Sequence, residues 1–177
     1  DICFVPDGKY SNLVRKLRPE SIQKGDIYHV DGSYLGEHNG IIDYTIGQRK
    51  GIRIGGRKDV TENDAKLYVI SIDEKNNKIV VGPKRYLSCD EFSINECNWI
   101  TDSDKKKFDA LVKLRNTAKP VQVKIQTDLE KSSASVMLKN PEFGISPGQA
   151  AVFYDLEDKN RVLGGGWIKS TKNYLNG

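Results

Sequence analysis

Three stretches of the chain hold residue types able to do chemistry, and each also has a plainer explanation. Cys3 lies in Asp1-Ile2-Cys3-Phe4-Val5. A thiol of ordinary pKa, about 8.5, is enriched as a nucleophilic thiolate near neutral pH only with electropositive help, for which Lys9 and a basic loop are candidates. The plainer explanation is a buried thiol in an apolar strand, the commoner fate of cysteine. The stretch from Arg49 to Lys58 holds five basic residues (Arg49, Lys50, Arg53, Arg57 and Lys58), three glycines and no acid, so its charge is not neutralised locally. Such a loop can set cations against phosphates while glycine amides approach closely; as plain surface it is a solvated charged loop. Ser146-Pro147-Gly148-Gln149 has the composition of a tight turn leading into a strand, and Gln149 can offer its amide to a base edge or a ribose.

Other polar and glycine-rich positions carry less. His38, set in Gly36-Glu37-His38-Asn39-Gly40, has no partner in sequence that would make it a general base, and it reads as the organiser of a turn. Tyr44-Thr45-Ile46-Gly47-Gln48 reads equally as a packing motif whose glycine marks a turn. Gly164-Gly165-Gly166-Trp167 has no helix start after it to bind an anion, so its glycines point to close backbone approach in a sheet. The three cysteines, Cys3, Cys89 and Cys97, are odd in number and widely spaced. They form neither a disulfide framework nor a Cys-x-x-Cys zinc set, and no metal site is expected.

These residues must be positioned by short elements. Tyr10, Leu13, Val14 and Leu17 fall at i, i+3, i+4 and i+7, which predicts one amphipathic helix over Lys9 to Leu17, stopped by Arg18-Pro19. Strands are predicted at Asp26 to Val30, Ile41 to Ile46, Lys66 to Ile72 and Lys78 to Val81, with a hairpin turn at Lys75-Asn76-Asn77-Lys78. After Gly82-Pro83 a second series runs near Phe92 to Ile100, Ala110 to Leu114, Val121 to Thr127, Ala134 to Leu138, Ala151 to Asp155 and Val162 to Ile168. Val121, Val123, Ile125 and Thr127 alternate with polar residues, as on a strand with one buried face. Six short strands at this spacing suggest a small closed barrel. The expected fold is therefore mainly β: a small, mixed but mostly β domain over residues 1–82, then a six-stranded antiparallel barrel over 91–177, with the boundary at about Pro83 to Asp90.

Composition sets the outer limits. In 177 residues, 37% hydrophobic and 29% charged with a net charge of +4, there is room for one generous domain or two small ones with a highly charged surface. No run approaches the roughly 18 apolar residues of a membrane span, and the first residues lack a signal-peptide layout, so no membrane partner and a cytoplasmic location are expected. The chain opens in mid-run on Ile2, Cys3, Phe4 and Val5, which reads as a fragment of a longer protein.

Taken together, in order and spacing, Asp1-Ile2-Cys3-Phe4-Val5, the Gly36 to Gly56 segment and Ser146 to Tyr154 followed by Leu163 to Ile168 resemble the bacterial tRNA-specific 2-thiouridylase family, from Asp1 to about Lys169. That resemblance implies a three-part enzyme. An amino-terminal ATP-pyrophosphatase domain, expected to use ATP and Mg, adenylates C2 of the wobble uridine, and persulfide sulfur displaces the adenylate. The chain resembles only the central and carboxyl-terminal parts, without the Ser-Gly-Gly-x-Asp-Ser phosphate loop of the first, so it is expected to bind no cofactor and to be inactive alone. By the same resemblance Cys3 is the persulfide carrier, resolved through a transient disulfide with a cysteine of the first domain. The implied partners are tRNA and a persulfide donor protein. Gln149 and an Arg-Tyr pair contact tRNA in that family. Arg115 and Asn116 occupy the pair's position, so asparagine stands where the aromatic is expected and any stacking by it is lost.

Two other classes compete with this reading. One is a non-catalytic RNA-binding module like the β-barrels of translation factors, distinguished by whether a persulfide forms on Cys3. The other is a protein-interaction barrel, for which tRNA binding would show little salt dependence.

Overall fold

The structure is a computed structural model, and it describes residues 23–52, 54, 66–100, 106–115 and 118–173. The chain divides into two compact units, residues 1–85 and 86–177. The helix expected over Lys9 to Leu17 lies outside the described residues.

The first unit contains a four-stranded mixed sheet in the order β2-β1-β4-β3, with β1 at Gly25–His29, β2 at Tyr34–His38, β3 at Tyr68–Asp73 and β4 at Lys78–Gly82. Two hairpins build it, β1–β2 and β3–β4, joined by a parallel pairing of β1 with β4. The second hairpin turns at the expected asparagines. Asn77 takes a φ of 50°, which asparagine tolerates, and the Asp73 carboxylate accepts from the Asn76 N–H at 3.1 Å and from its side-chain amide at 2.7 Å. Ile27, Val69, Ile79 and Val81 form the buried face, and Ile52 and Leu67 join them from the loops.

Sequence patterning errs at one place in this unit. The strand expected at Ile41 to Ile46 is instead a single 3-10 turn at Ile41–Asp43 followed by loop. Gly40 and Gly47, with φ of 140° and 85°, break the chain on both sides, while Ile41 and Tyr44 still pack on the sheet's apolar face. The antiparallel hairpin partner of β1 is Tyr34–His38, which Gly36 and Glu37 disguise because neither favours strands.

The second unit is a closed six-stranded barrel, every pairing antiparallel, in the cyclic order β10-β5-β8-β7-β6-β9. Its strands are β5 at Ser88–Trp99, β6 at Lys107–Lys113, β7 at Val121–Asp128, β8 at Ser133–Phe143, β9 at Ala150–Tyr154 and β10 at Val162–Asn173. The expected fold class, a mostly β mixed sheet and a six-stranded antiparallel barrel, is the one observed. Closure removes sheet edges, and the inward residues of each strand fill one core, including Phe92, Ile94, Val112, Ile125, Val136 and Phe153. Trp99 closes part of it, stacked on Phe153 and edge-on to Phe108, each at 5.5 Å between ring centroids.

Two local features let the strands fit. The long β8 bulges between Met137 and Glu142, which pair with Glu91 and Cys89 of β5, and Pro141, which has no N–H for a ladder, falls inside that interruption. On β10 the run Gly164-Gly165-Gly166 lets the strand pass tightly between β5 and β9. A Cβ on Gly164 would meet the Asn98 carbonyl at 2.5 Å, and one on Gly165 the Ala151 carbonyl at 2.7 Å.

Candidate functional site

Two turns, one in each unit, share a single hydrogen-bonding scheme. In Thr45-Ile46-Gly47-Gln48 the Gln48 N–H donates to the Thr45 carbonyl at 2.9 Å, and the Gln48 side-chain Oε1 accepts from the Thr45 N–H at 3.0 Å. In Ser146-Pro147-Gly148-Gln149 the corresponding distances are both 3.3 Å. Gly47 and Gly148 occupy the third position with φ of 85° and 84°, which a type II turn reserves for glycine. Each turn is stitched to a strand: Gly47 N–H to the Val69 carbonyl and Val69 N–H to the Gln48 carbonyl, Gly148 N–H to the Ile168 carbonyl and Ile168 N–H to the Gln149 carbonyl, at 2.8–2.9 Å.

The turns differ at the other end of the glutamine amide. Gln48 Nε2 donates to the Lys50 carbonyl at 3.0 Å, so this side chain is used up in shaping its own loop. Gln149 Nε2 makes no hydrogen bond within the described residues, and the half-buried side chain keeps it as an oriented donor. The turn therefore fixes which half of the amide a ligand meets. Gln149 presents N–H donors, suited to a phosphate, a ribose oxygen or a base carbonyl.

Arg115 stands beside it. Its Nη2 donates to the Gly144 carbonyl and, at 3.4 Å, to the Phe143 carbonyl. Gly144 has a φ of 71°, and a Cβ there would run into this guanidinium at 2.5 Å. No carboxylate of the described residues lies within ion-pair distance of Arg115, so the charge is anchored by backbone and its remaining N–H donors are available. Arg115, Lys119, Phe143 and Gln149 line one small cleft of about 50 Å³. Sequence reasoning named Arg115 and Gln149 separately, and the fold brings them together across the 33 residues that separate them in the chain. It missed Lys119 and Phe143. The ring of Phe143 is 43% exposed at the end of β8, and the only signal in sequence was an aromatic beside Gly144, out of the strand's alternation.

The remaining expected residues are distributed as follows. Arg49 and Lys50 are exposed in the first unit, directly after the Gln48 turn. Cys3, Arg53, Arg57, Lys58 and Asn116 lie outside the described residues. His38 is 2% exposed. Its Nδ1 accepts from the Gly40 N–H at 3.1 Å, which leaves Nε2 as the protonated nitrogen, donating to the Asn77 carbonyl at 3.2 Å. Both ring nitrogens are engaged in holding the β2 end against the β3–β4 hairpin, an organising role. No cluster of three or more metal-ligating side chains occurs among the described residues, and no helix there is long and apolar enough to cross a membrane.

The chain as a whole is similar to known proteins. Residues 11–83 match the family described as the tRNA methyl transferase PRC-barrel domain, and residues 89–168 the family described as the aminomethyltransferase beta-barrel domain. The tRNA-specific 2-thiouridylase MnmA of Sphingopyxis alaskensis is 47% identical over 171 residues, covering 97% of this chain and 41% of that protein. Those of Roseobacter denitrificans and Rickettsia canadensis, both 47% identical, are matched by 95% of the chain over 43% of their length. The chain belongs to the tRNA-specific 2-thiouridylase family. It spans about two fifths of the length of the curated relatives it matches.

For a family named for moving sulfur, the state of the thiols matters. Burial pushes both Cys89 and Cys97 up to about 11, so each is a neutral thiol near pH 7 and a poor nucleophile. Cys89 is 2% exposed, and its Sγ is directed at the Glu91 carbonyl at 3.1 Å.

Proposed function

We propose that the chain forms the tRNA-holding and sulfur-carrying part of a tRNA-uridine 2-sulfurtransferase. The observation that carries this reading is the convergence of Arg115 and Gln149 in one cleft with outward donors still available, on a barrel whose relatives are tRNA-specific 2-thiouridylases. Arg115 and Lys119 supply positive charge for phosphate, Gln149 an oriented N–H for a sugar or base acceptor, and Phe143 an apolar face. The basic residues Arg49, Lys50, Arg53, Arg57 and Lys58 add a second phosphate contact.

Cys3 carries the sulfur in this reading. A donor protein leaves it as a persulfide. With the C2 carbonyl oxygen of the wobble uridine adenylated by an ATP-using domain, the outer sulfur attacks C2, the C2–O bond breaks and AMP departs with that oxygen. A second cysteine thiolate then attacks the Cys3 sulfur, breaking the S–S bond. The sulfur stays on the uridine, and a disulfide of the two cysteines remains for external reduction. Only a thiol can accept sulfane sulfur and release it in this way. Cys89, protonated and buried, and Cys97, protonated and half-buried, are unsuited to the role.

The test is tRNA binding by the 177-residue chain and by Arg115→Ala and Gln149→Glu variants, followed by fluorescence anisotropy. Salt-sensitive binding weakened by both variants supports the reading; unaltered binding in both refutes the cleft. With ATP, tRNA and a persulfide donor, the chain alone forms no 2-thiouridine, and product above a Cys3→Ala control would overturn the division of labour.

A further inference from the structure

The outer face of the barrel carries a feature that the cleft does not use. On the adjacent strands β6, β7 and β8, Lys107 pairs with Gln126 and Asp109 with Lys124, while Gln126 pairs with Ser135 and Lys124 with Met137. One step further along, Lys139 Nζ reaches Gln122 Oε1 at 3.1 Å. Because Ala110, Val123, Ile125, Val136 and Leu138 fill the core, strand alternation forces the intervening residues outward. Lys107, Lys124 and Lys139 are all exposed, and each stands one strand over and two residues along from the one before. They form a straight diagonal with steps of about 7–8 Å.

Their charge is open. None of the three lies within ion-pair distance of a carboxylate of the described residues, whereas Lys172 on the same barrel is held by Glu91 at 2.7 Å. Asp109 lies across from Lys124, and Glu91 on β5 continues the same row beyond Met137, bonded to Ser135 and Lys172, while Asp128 at the end of β7 is paired with Lys131. Adjoining depressions of about 430 Å³ and 440 Å³, both lined by Asp109, Lys124 and Met137, leave room between the lysine stems.

We infer that this diagonal is a track for the sugar-phosphate backbone of an RNA strand, a contact that rests on the tRNA-binding reading but is separate from the Arg115–Gln149 cleft. Three ammonium groups at steps within the Debye length of about 8 Å at physiological ionic strength act together on one polyanion. The side-chain amides of Gln122 and Gln126 alongside offer neutral hydrogen bonds to phosphate and 2′-hydroxyl oxygens. The lysines are rooted in paired strands over a filled core, so their spacing is set before the ligand arrives.

The test compares two triple variants of equal charge change. Lys107→Gln/Lys124→Gln/Lys139→Gln removes the track, and Lys75→Gln/Lys131→Gln/Lys159→Gln removes three exposed lysines elsewhere. The track variant should lower the slope of log affinity for tRNA against log salt by about 2 units, about 0.7 per lysine, giving a loss of roughly a hundredfold at 0.1 M salt that vanishes toward 1 M. The control should keep most of the wild-type slope. Should the triple variant lose its fold, as judged by thermal melting, the single variants answer the same question with about 0.7 each. Equal loss in the two triple variants refutes the track while leaving the tRNA reading standing, and wild-type protein with no salt-dependent tRNA affinity overturns both. Poly-glutamate that binds as tightly as tRNA, with the same three-lysine dependence, overturns the assignment to RNA.

Discussion

The paired glutamine turns make a prediction in which one chemical change has opposite consequences at two sites. In Gln149→Glu the new carboxylate still accepts from the Ser146 N–H, so the turn persists and stability should change by less than about 0.5 kcal/mol, as for most surface substitutions. What is lost is the outward donor. A hydrogen bond to ligand contributes about 0.5–1.5 kcal/mol, and a carboxylate about 4 Å from a phosphate in water adds roughly 1 kcal/mol of repulsion. Affinity for tRNA should fall by about ten- to seventyfold. In Gln48→Glu the same replacement keeps the acceptor for Thr45 but sets a carboxylate oxygen against the Lys50 carbonyl that Gln48 Nε2 now serves. That should destabilise the first unit by about 1–3 kcal/mol, while the loss of tRNA affinity, measured where the fold holds, comes only from the disturbed Arg49–Lys50 loop and stays smaller than for Gln149→Glu. Urea unfolding and fluorescence anisotropy read the two quantities. The reasoning fails if Gln149→Glu binds like wild type, or if Gln48→Glu weakens binding as much with unchanged stability.

Other expectations follow from the same contacts. His38→Ala strands the Gly40 N–H and the Asn77 carbonyl and should lower the first unit's stability by about 2–4 kcal/mol in chemical denaturation, leaving the barrel transition in place. Gly164→Ala, at a φ of 155° and against the Asn98 carbonyl, should destabilise the barrel by at least about 1–3 kcal/mol, and a melting temperature equal to wild type would contradict the packing role of the glycine run. Cys89 and Cys97, pushed up to about 11 by burial, should resist alkylation near pH 7.5 in the folded protein and react only on unfolding. Hydrogen bonds from Lys172 and Ser135 hold the Glu91 carboxyl below its usual value. Its stabilisation is thus fully present above the unfolded glutamate range of about 4.3 and lost as pH falls through the lower folded value, so Glu91→Gln should flatten the acid limb of barrel stability.

The barrel was legible in the sequence because its strands obey the two-residue alternation strictly. Val123, Ile125, Val136 and Leu138 face in and Lys124, Met137 and Lys139 face out, as that alternation demands. Boundaries were less legible. β8 runs on past Leu138 to Phe143 through a bulge whose Pro141 and Asn140 read as a loop. In the first unit, Ile41 to Ile46 had strand composition, yet glycine conformations on both flanks turned it into loop, a choice made by backbone sterics that apolar patterning does not encode. At the site, residue types were readable but their company was not. Arg115 and Gln149 meet because β6 and the approach to β9 end at the same rim, and Phe143 and Lys119 join them through tertiary contact alone. The division of labour between Gln48 and Gln149 depends on one hydrogen bond, from Nε2 to Lys50, for which the sequence holds no sign.

The central claim is that sulfur reaches tRNA through Cys3, and sulfur transfer itself tests it most directly. In an enzyme with this chain joined to an ATP-using domain, labelled sulfur from a persulfide donor is followed into tRNA for wild type, Cys3→Ser, Cys89→Ser and Cys97→Ser. The account predicts that Cys3→Ser abolishes transfer with tRNA affinity unchanged, since a hydroxyl fills nearly the same space but holds no sulfane sulfur, and that the other two variants keep it. Transfer that survives Cys3→Ser, or that is lost with Cys89→Ser or Cys97→Ser in a folded, tRNA-binding enzyme, would contradict it.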